Sequence, residues 1–145
     1  MAHILAKYGF KVSMTLGRME GFDLFVQNPS GKLLTVSVKT RYSNKAIDIP
    51  MNKKAETLTD KSLFYAFVRL NMPDGVPEFW IVPSNVVAKV IKTSYKIWKD
   101  IPRKDGKPHG DTDIRTIELR ASPLFPKNWV EQLELFKGNI ESLKK

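Results

Sequence analysis

The strongest constraint on the fold of this chain is a nearly continuous apolar run, Leu63–Leu70, with the sequence LFYAFVRL. The run has the length of a β-strand, and its apolar side chains would point to both faces of a sheet. A strand of this kind is stable where protein covers both faces. A turn at Pro73-Asp74-Gly75 and the apolar segment Glu78–Val82 follow it, so we predict a hairpin whose first strand is buried.

The other apolar segments predict further strands and helices around this hairpin. Strands are predicted at Phe10–Thr15, Phe22–Gln27, Leu33–Thr40 and Arg115–Leu119. Helices are predicted at Ala2–Tyr8, from Ser84 to Lys99, and at Pro126–Lys137. Residues 1–145 should therefore form a single α/β domain, with exposed loops at 41–61 and 100–113 and a frayed tail at 138–145.

Length and composition narrow the classes of function. A chain of 145 residues with 42% hydrophobic residues is one ordinary globular domain. The absence of cysteine excludes disulfides, thiolate zinc sites, iron–sulfur clusters and a cysteine nucleophile. No apolar run approaches the ~18 residues of a membrane span. Since Met1–Phe10 also lacks the character of a signal peptide, we expect a cytoplasmic protein without a membrane partner.

Positive charge is concentrated in two parts of the chain. The net charge is +9; segments 1–45 and 85–108 each carry +5, whereas 46–84 carries −1 and 109–145 carries 0. A clustered basic surplus favours a polyanionic partner, of which nucleic acid is the commonest. A surplus that serves only solubility is the alternative interpretation.

The helix predicted from Ser84 onward has two distinct faces. One stripe is apolar and the other is basic, the basic one consisting of Lys89, Lys92, Lys96 and Lys99. These lysines, together with Arg41, are candidates for contacts with nucleic-acid phosphates, which carry no sequence information. A solvated helix face is the alternative.

Two other groups of residues favour a structural role. Trp80, Trp98 and Trp129 lie in apolar patterns, so core packing is favoured over base stacking. The spacing of His109, Asp111 and Asp113 resembles a metal loop only superficially, and a polar loop is the simpler interpretation. With two histidines in the chain, a multi-histidine zinc site is excluded.

The segment Phe22–Thr40 predicts a β-hairpin that brings a carboxylate and a lysine together. Asp23 lies near the start of one strand and Lys39 near the end of its antiparallel partner, so the two can face each other. Ser37 shares a strand face with Lys39. A carboxylate can hold Mg²⁺ at a phosphodiester while a lysine positions the attacking water, so the pair predicts phosphodiester hydrolysis. An ion pair of Asp23 with Lys39 or Arg41 is the structural alternative.

The same residues resemble the motif of the PD-(D/E)xK nuclease superfamily, which includes many restriction enzymes, Holliday-junction resolvases and repair nucleases. Gly21-Phe22-Asp23 stands in place of the PD element, and Ser37-Val38-Lys39 in place of the (D/E)xK element. Most of the chain resembles a group of small bacterial members, in Val38-Lys39-Thr40, Phe64–Val68, Phe79–Val87 and a Trp-containing C-terminal helix. The resemblance implies a restriction-endonuclease-like fold, with a central mixed β-sheet flanked by helices, and a nucleic-acid substrate, DNA in particular.

The resemblance also implies a role for each matched residue. Asp23 and the backbone carbonyl of Val38 would bind Mg²⁺, Lys39 would position and activate water, and Ser37 would take the third catalytic position. The middle acidic residue of the family is replaced by Ser37, and a hydroxyl is a weaker Mg²⁺ ligand than a carboxylate. Many members also carry a glutamate in the first helix, which Met1–Tyr8 lacks. We therefore expect a weak metal site.

Three functions stay open at this stage. The first is a Mg²⁺-dependent nuclease, in which Glu20 is a candidate second carboxylate or a turn charge. The second is a catalytically inactive member of the same fold that acts as a DNA-binding or assembly module. The third is a protein–protein adaptor. A homodimer is a further expectation from fold analogy, because a duplex has two strands to cut.

Overall fold

The computed structural model of this chain describes residues 1–15, 21–42 and 48–145. The strands in these ranges are β1 (Lys11–Met14), β2 (Leu24–Gln27), β3 (Leu33–Arg41), β4 (Asp48–Asn52), β5 (Leu63–Arg69), β6 (Glu78–Pro83) and β7 (Ile114–Glu118). The helices are α1 (Ala2–Lys7), α2 (Ser84–Asp100) and α3 (Trp129–Phe136), with short 3₁₀ helices at Lys53–Glu56 and Glu141–Leu143.

Five of the strands form the central sheet, in the order β1-β2-β3-β5-β6. β3 and β5 are parallel and the other neighbouring pairs are antiparallel, so the sheet is mixed. β5 lies inside the sheet, and its residues from Leu63 to Val68 are all buried. This burial on both faces confirms the prediction from the apolar run.

Each face of the central sheet is covered by its own apolar layer. On one face, Leu24, Val26 and Ile81 pack with Leu5 of α1 and with Leu143 near the C-terminus. The other face packs against α2, α3 and a two-stranded sheet of β4 and β7; its buried residues include Phe67, Val87, Ile91, Ile117 and Trp129. The chain therefore has the expected α/β fold, a mixed central sheet flanked by helices.

The segment 41–61 contains more regular structure than the exposed loop that the sequence predicted. Asp48–Asn52 form β4, which pairs with β7, and Lys53–Glu56 form a 3₁₀ helix. Ile49 and Met51 are buried between exposed neighbours, which is the period of a strand. A proline is unfavourable inside a sheet, but β4 tolerates Pro50 because this strand has a partner on one side only. Residues 43–47 lie outside the described residues.

The C-terminal tail is anchored, which corrects the expectation that residues 138–145 fray. Ile140 and Leu143 are buried in the layer that contains α1. Asn28, in the turn between β2 and β3, is itself buried, and its Nδ2 donates to the carbonyl oxygens of Leu143 (3.1 Å) and Lys144 (3.2 Å). A side chain of the hairpin turn therefore holds the end of the chain in place.

The segment 101–113 contains no helix or strand, and every residue in it except His109 is exposed. Asp111 connects it to the rest of the chain, because its carboxylate accepts hydrogen bonds from Lys53 Nζ and from the Tyr95 hydroxyl, both at 2.6 Å. Within the described ranges, no helix has the length and apolar character needed to cross a membrane.

Candidate functional site

Two of the three predicted catalytic residues, Ser37 and Lys39, line a cleft of about 530 Å³ beside β3, and Asp23 is not among the residues that line it. One wall is the sheet face that carries Ser37, Lys39 and Tyr65. The other wall is the chain segment from the end of β4 through the 3₁₀ helix, contributing Met51, Asn52, Lys54, Ala55, Thr57 and Leu58. Gly21 also lines this concavity, which we call the Lys39 cleft.

The pairing of β3 with β5 explains which side chains share the cleft. Ser37 lies beside Tyr65, and Lys39 lies beside Phe67, in a parallel ladder whose alternate residues point to one face. Ser37 is 3% exposed and Lys39 is half-buried. Among the described residues, the Lys39 amine has no hydrogen-bond or ion-pair partner. A partly buried cation without a protein partner favours an anionic ligand.

Asp23 directly precedes β2, but the hairpin register differs from the expected one. The paired register ends at Leu24 and Val36, and Asp23 bonds Val36 and Val38 rather than standing opposite Lys39. The backbone N–H of Asp23 donates to the Val36 carbonyl at 2.9 Å, one residue out of step with the Leu24–Val36 pair, so the regular ladder ends at Leu24. Because the turn between two strands sets their register, a hairpin can be recognised from sequence while its pairs are still misassigned. The expected opposition of Asp23 and Lys39 is therefore wrong.

The carboxylate of Asp23 is oriented by β3. Its Oδ2 accepts a hydrogen bond from the Val38 N–H at 2.6 Å and another from the Ser37 hydroxyl at 3.4 Å. Its Oδ1 has no such partner in the part of the chain that the structure describes. In the same ranges Asp23 forms no ion pair, and Arg41 pairs with Asp48 at 3.0 Å. One oxygen is therefore held by the strand, and the other is open to a ligand.

Asp23 is the carboxylate that the hairpin offers to a metal ion. No group of three or more His, Cys, Asp or Glu residues that could hold a metal lies within residues 1–15, 21–42 and 48–145. Mg²⁺ commonly keeps several waters and binds one or two carboxylates together with substrate phosphate oxygens. The open oxygen of Asp23 fits that kind of site, and a metal held only by protein ligands does not fit. Glu20 lies outside the described residues, and a ligand role for the Val38 carbonyl stays a prediction.

Tyr65 is a cleft residue that the sequence analysis missed. It is 4% exposed, and burial raises the pKa of its hydroxyl, so the phenol is protonated at neutral pH and can donate a hydrogen bond to an anion. In the sequence, Tyr65 is one apolar position in the run Leu63–Leu70. Tyr65 reaches the cleft because the parallel register of β3 and β5 pairs it with Ser37, and this register is visible only in the folded sheet.

The lysine stripe lies on the exposed face of α2, as predicted. Lys89, Lys92, Lys96 and Lys99 are all exposed. The opposite face of the helix is buried, through Ser84, Val87, Ala88, Val90, Ile91 and Ser94. The helix is therefore amphipathic, and the ends of the four lysines are accessible from outside the protein.

The tryptophans and the His109 segment have structural roles. Trp80 and Trp129 are buried in the core, as predicted. Trp98 is half-buried, and the centroid of its ring lies 3.9 Å from that of His109. Asp111 binds Lys53 and Tyr95 instead of joining His109, so this segment is the polar loop that the sequence favoured.

Buried Arg115 supports one wall of the Lys39 cleft. Its guanidinium pairs with Glu56 of the 3₁₀ helix, donates to the carbonyl oxygens of Thr112 and Ile114, and lies 3.3 Å from the centroid of the Tyr95 ring. Arg115 also lines a separate cavity of about 400 Å³ between α2 and β7. Since its N–H groups already bind protein acceptors, Arg115 holds the 3₁₀ helix in place and is not a candidate ligand-binding group.

Comparison with solved structures finds five chains similar to this one. The chain is similar to the structure of a bacterial homing endonuclease, I-Ssp6803I, with 16% sequence identity over 97% of this chain and 81% of that chain and a TM-score of 0.50. No protein-family model matches the chain, and no curated protein matches it. At 16% identity the likeness shows the fold alone. The chain therefore shares the fold of that endonuclease, and its five-stranded mixed sheet carries Ser37 and Lys39 on β3, with Asp23 directly before the neighbouring strand β2.

Proposed function

We propose that this chain is a nucleic-acid-associated nuclease of the PD-(D/E)xK type that hydrolyses phosphodiesters with Mg²⁺ and acts on DNA. The observation that carries the proposal is that two open groups, the Asp23 carboxylate and the Lys39 amine, lie at neighbouring positions along β3. Asp23 is fixed by the Val38 N–H with one oxygen open, and the unpaired amine of Lys39 lies in the adjoining cleft. The nuclease-like fold supports the same proposal.

In this proposal each residue of the site has a separate task. Asp23, with the Val38 carbonyl, holds the metal, and Mg²⁺ when bound neutralises phosphate charge and acidifies a water. Lys39 donates to the attacking water or to a phosphate oxygen as negative charge develops there. Ser37 keeps the Asp23 carboxylate in place through its hydroxyl, and it stands where an acidic ligand would strengthen the metal site.

A nicking assay tests the catalytic proposal. The protein is incubated with supercoiled plasmid and with single-stranded DNA, in Mg²⁺, in Mn²⁺ and in EDTA. We expect metal-dependent cleavage that falls by at least ~100-fold in Lys39→Ala, which removes a charge-stabilising donor. The matched control is Lys7→Ala, which removes an exposed lysine from α1 on the opposite face of the sheet. Equal losses in both variants, or cleavage that persists in EDTA, would contradict the assignment of the site.

A catalytically inactive DNA-binding or assembly module is the second candidate. The observation that favours it is that no carboxylate is among the described residues that line the cleft, and that Ser37 stands in place of the middle acidic residue of the motif. This candidate predicts DNA binding whose affinity falls steeply with salt, without nicking in any metal. Failure to bind DNA even at low salt would exclude both candidates and leave a protein–protein adaptor.

A further inference from the structure

A second groove runs between the 3₁₀ helix and the first half of α2, next to the Lys39 cleft. It has a volume of about 430 Å³, and its lining includes Thr57, Thr59, Asn85, Ala88, Lys89 and Lys92. Thr57 lines both this groove and the Lys39 cleft, so the two concavities meet at that residue. We call this concavity the α2 groove.

The α2 groove carries uncompensated positive charge. Lys89 and Lys92 are exposed, and their amines have no hydrogen-bond or ion-pair partner within the described ranges. The acidic residue beside the groove, Glu56, is already paired with the buried guanidinium of Arg115. The sequence of α2 contains no acidic residue before Asp100. These charges favour a polyanion in the groove.

The second half of the lysine stripe has a different environment. Lys96 and Lys99 lie roughly 10 and 15 Å farther along the helix axis than Lys89, at 1.5 Å per residue. One carboxylate accompanies them at that end, because Asp100 follows Lys99 directly; Asp111, bound to the hydroxyl of Tyr95, is already paired with Lys53. The four lysines therefore form one stripe in the sequence, but its two halves differ in the charged residues around them.

We propose that a nucleic-acid strand reaches the Lys39 cleft through the α2 groove. Lys89 and Lys92 contact the phosphates that flank the one held at Lys39, and Lys96 and Lys99 lie outside the path. This inference rests on the proposed function, because it takes the Lys39 cleft as the site of reaction. The contacts are with phosphates alone, so they strengthen binding without selecting a sequence.

The test compares two double variants of the same helix, Lys89→Ala/Lys92→Ala and Lys96→Ala/Lys99→Ala. Each removes two exposed lysines with the same spacing of three residues, and alanine is the stronger helix former, so α2 should stay folded. Circular dichroism and thermal unfolding check this. Binding of a fluorescent single-stranded oligonucleotide and of the matching duplex is measured by anisotropy in EDTA over a series of salt concentrations.

The expected result is a difference in the slope of log K against log salt. Each lost phosphate contact reduces the slope by about 0.7 for single strands and about 0.9 for duplex. The Lys89/Lys92 variant should therefore lose about 1.4–1.8, whereas the Lys96/Lys99 variant should lose less than about 0.5. Equal losses in the two variants, or a larger loss in the Lys96/Lys99 variant, would overturn the proposed path.

The same experiment separates this inference from the proposed function. If the wild-type protein nicks DNA but the two variants have equal slopes, the path is wrong and the nuclease assignment stands. If the slopes differ as expected but no metal supports nicking, the path stands and the catalytic assignment fails. If the wild-type protein binds neither probe at low salt, both proposals fail.

Discussion

A cluster of charges at the far edge of the central sheet leads to a quantitative prediction about stability. Glu78, at the start of β6, pairs with Lys137 after α3 through Oε1 at 2.6 Å. Its Oε2 accepts from Arg69 Nε at 3.0 Å and from Asn71 Nδ2 at 3.1 Å. The hydrogen bonds from Lys137 and Arg69 lower the pKa of Glu78 from 4.5 to about 2. The cluster ties β5, β6 and the segment after α3 together.

The lowered pKa means that the folded state holds the Glu78 proton less tightly than the unfolded state does. Glu78 therefore stabilises the fold fully above pH ~4.5, and the contribution is lost as the pH falls through the folded-state pKa of about 2. A shift of this size corresponds to about 3 kcal/mol at ~1.4 kcal/mol per pKa unit. Because the side chain is 26% exposed, we expect about 2–3 kcal/mol in practice.

The variant Glu78→Gln tests this value, because it keeps the shape of the side chain and removes the charge. Urea unfolding is measured for both proteins at a series of pH values between neutrality and pH ~2. We expect the variant to be less stable by about 2–3 kcal/mol at neutral pH, and the difference to vanish near pH ~2. Glu141→Gln, at a carboxylate that is 65% exposed and pairs with Lys144, should change stability by less than ~1 kcal/mol. Parallel pH profiles for wild type and Glu78→Gln would refute the reasoning.

Two further substitutions test the site and its support. Ser37→Glu places a second carboxylate beside Asp23, so we expect tighter Mg²⁺ and Mn²⁺ binding by calorimetry. Ser37→Gln is the uncharged control. Unchanged metal binding in Ser37→Glu would show that residues 23 and 37 do not share a site. Arg115→Ala removes the partner of Glu56, the last residue of the 3₁₀ helix, so we expect the free energy of unfolding, measured by chemical denaturation, to fall by about 3–5 kcal/mol. Arg120→Ala, at a side chain that is 64% exposed, should cost under ~1 kcal/mol, and equal costs would count against the support role of Arg115.

The regular elements with a clear local pattern could be predicted from the sequence. The apolar run Leu63–Leu70 became the interior strand β5, and the two stripes from Ser84 onward became the buried and exposed faces of α2. These features depend on side-chain periodicity within one segment, so neighbouring residues alone determine them. β4 was missed because Pro50 interrupts its pattern, and the tail was misjudged because its anchor, Asn28, lies more than a hundred residues earlier in the chain.

For the candidate site, the sequence by itself determined which residue types are present: one acid, one hydroxyl and one amine on two strands of a hairpin. Only the tertiary structure decided their arrangement, in which Asp23 meets Ser37 and the Val38 N–H, and Lys39 lies in a cleft with Tyr65. The physical reason is that the turn sets the hairpin register and the parallel β3–β5 pairing selects the cleft side chains. The register depends on the detailed geometry of the turn, and the parallel pairing depends on contacts between segments distant in the sequence, which no local pattern encodes.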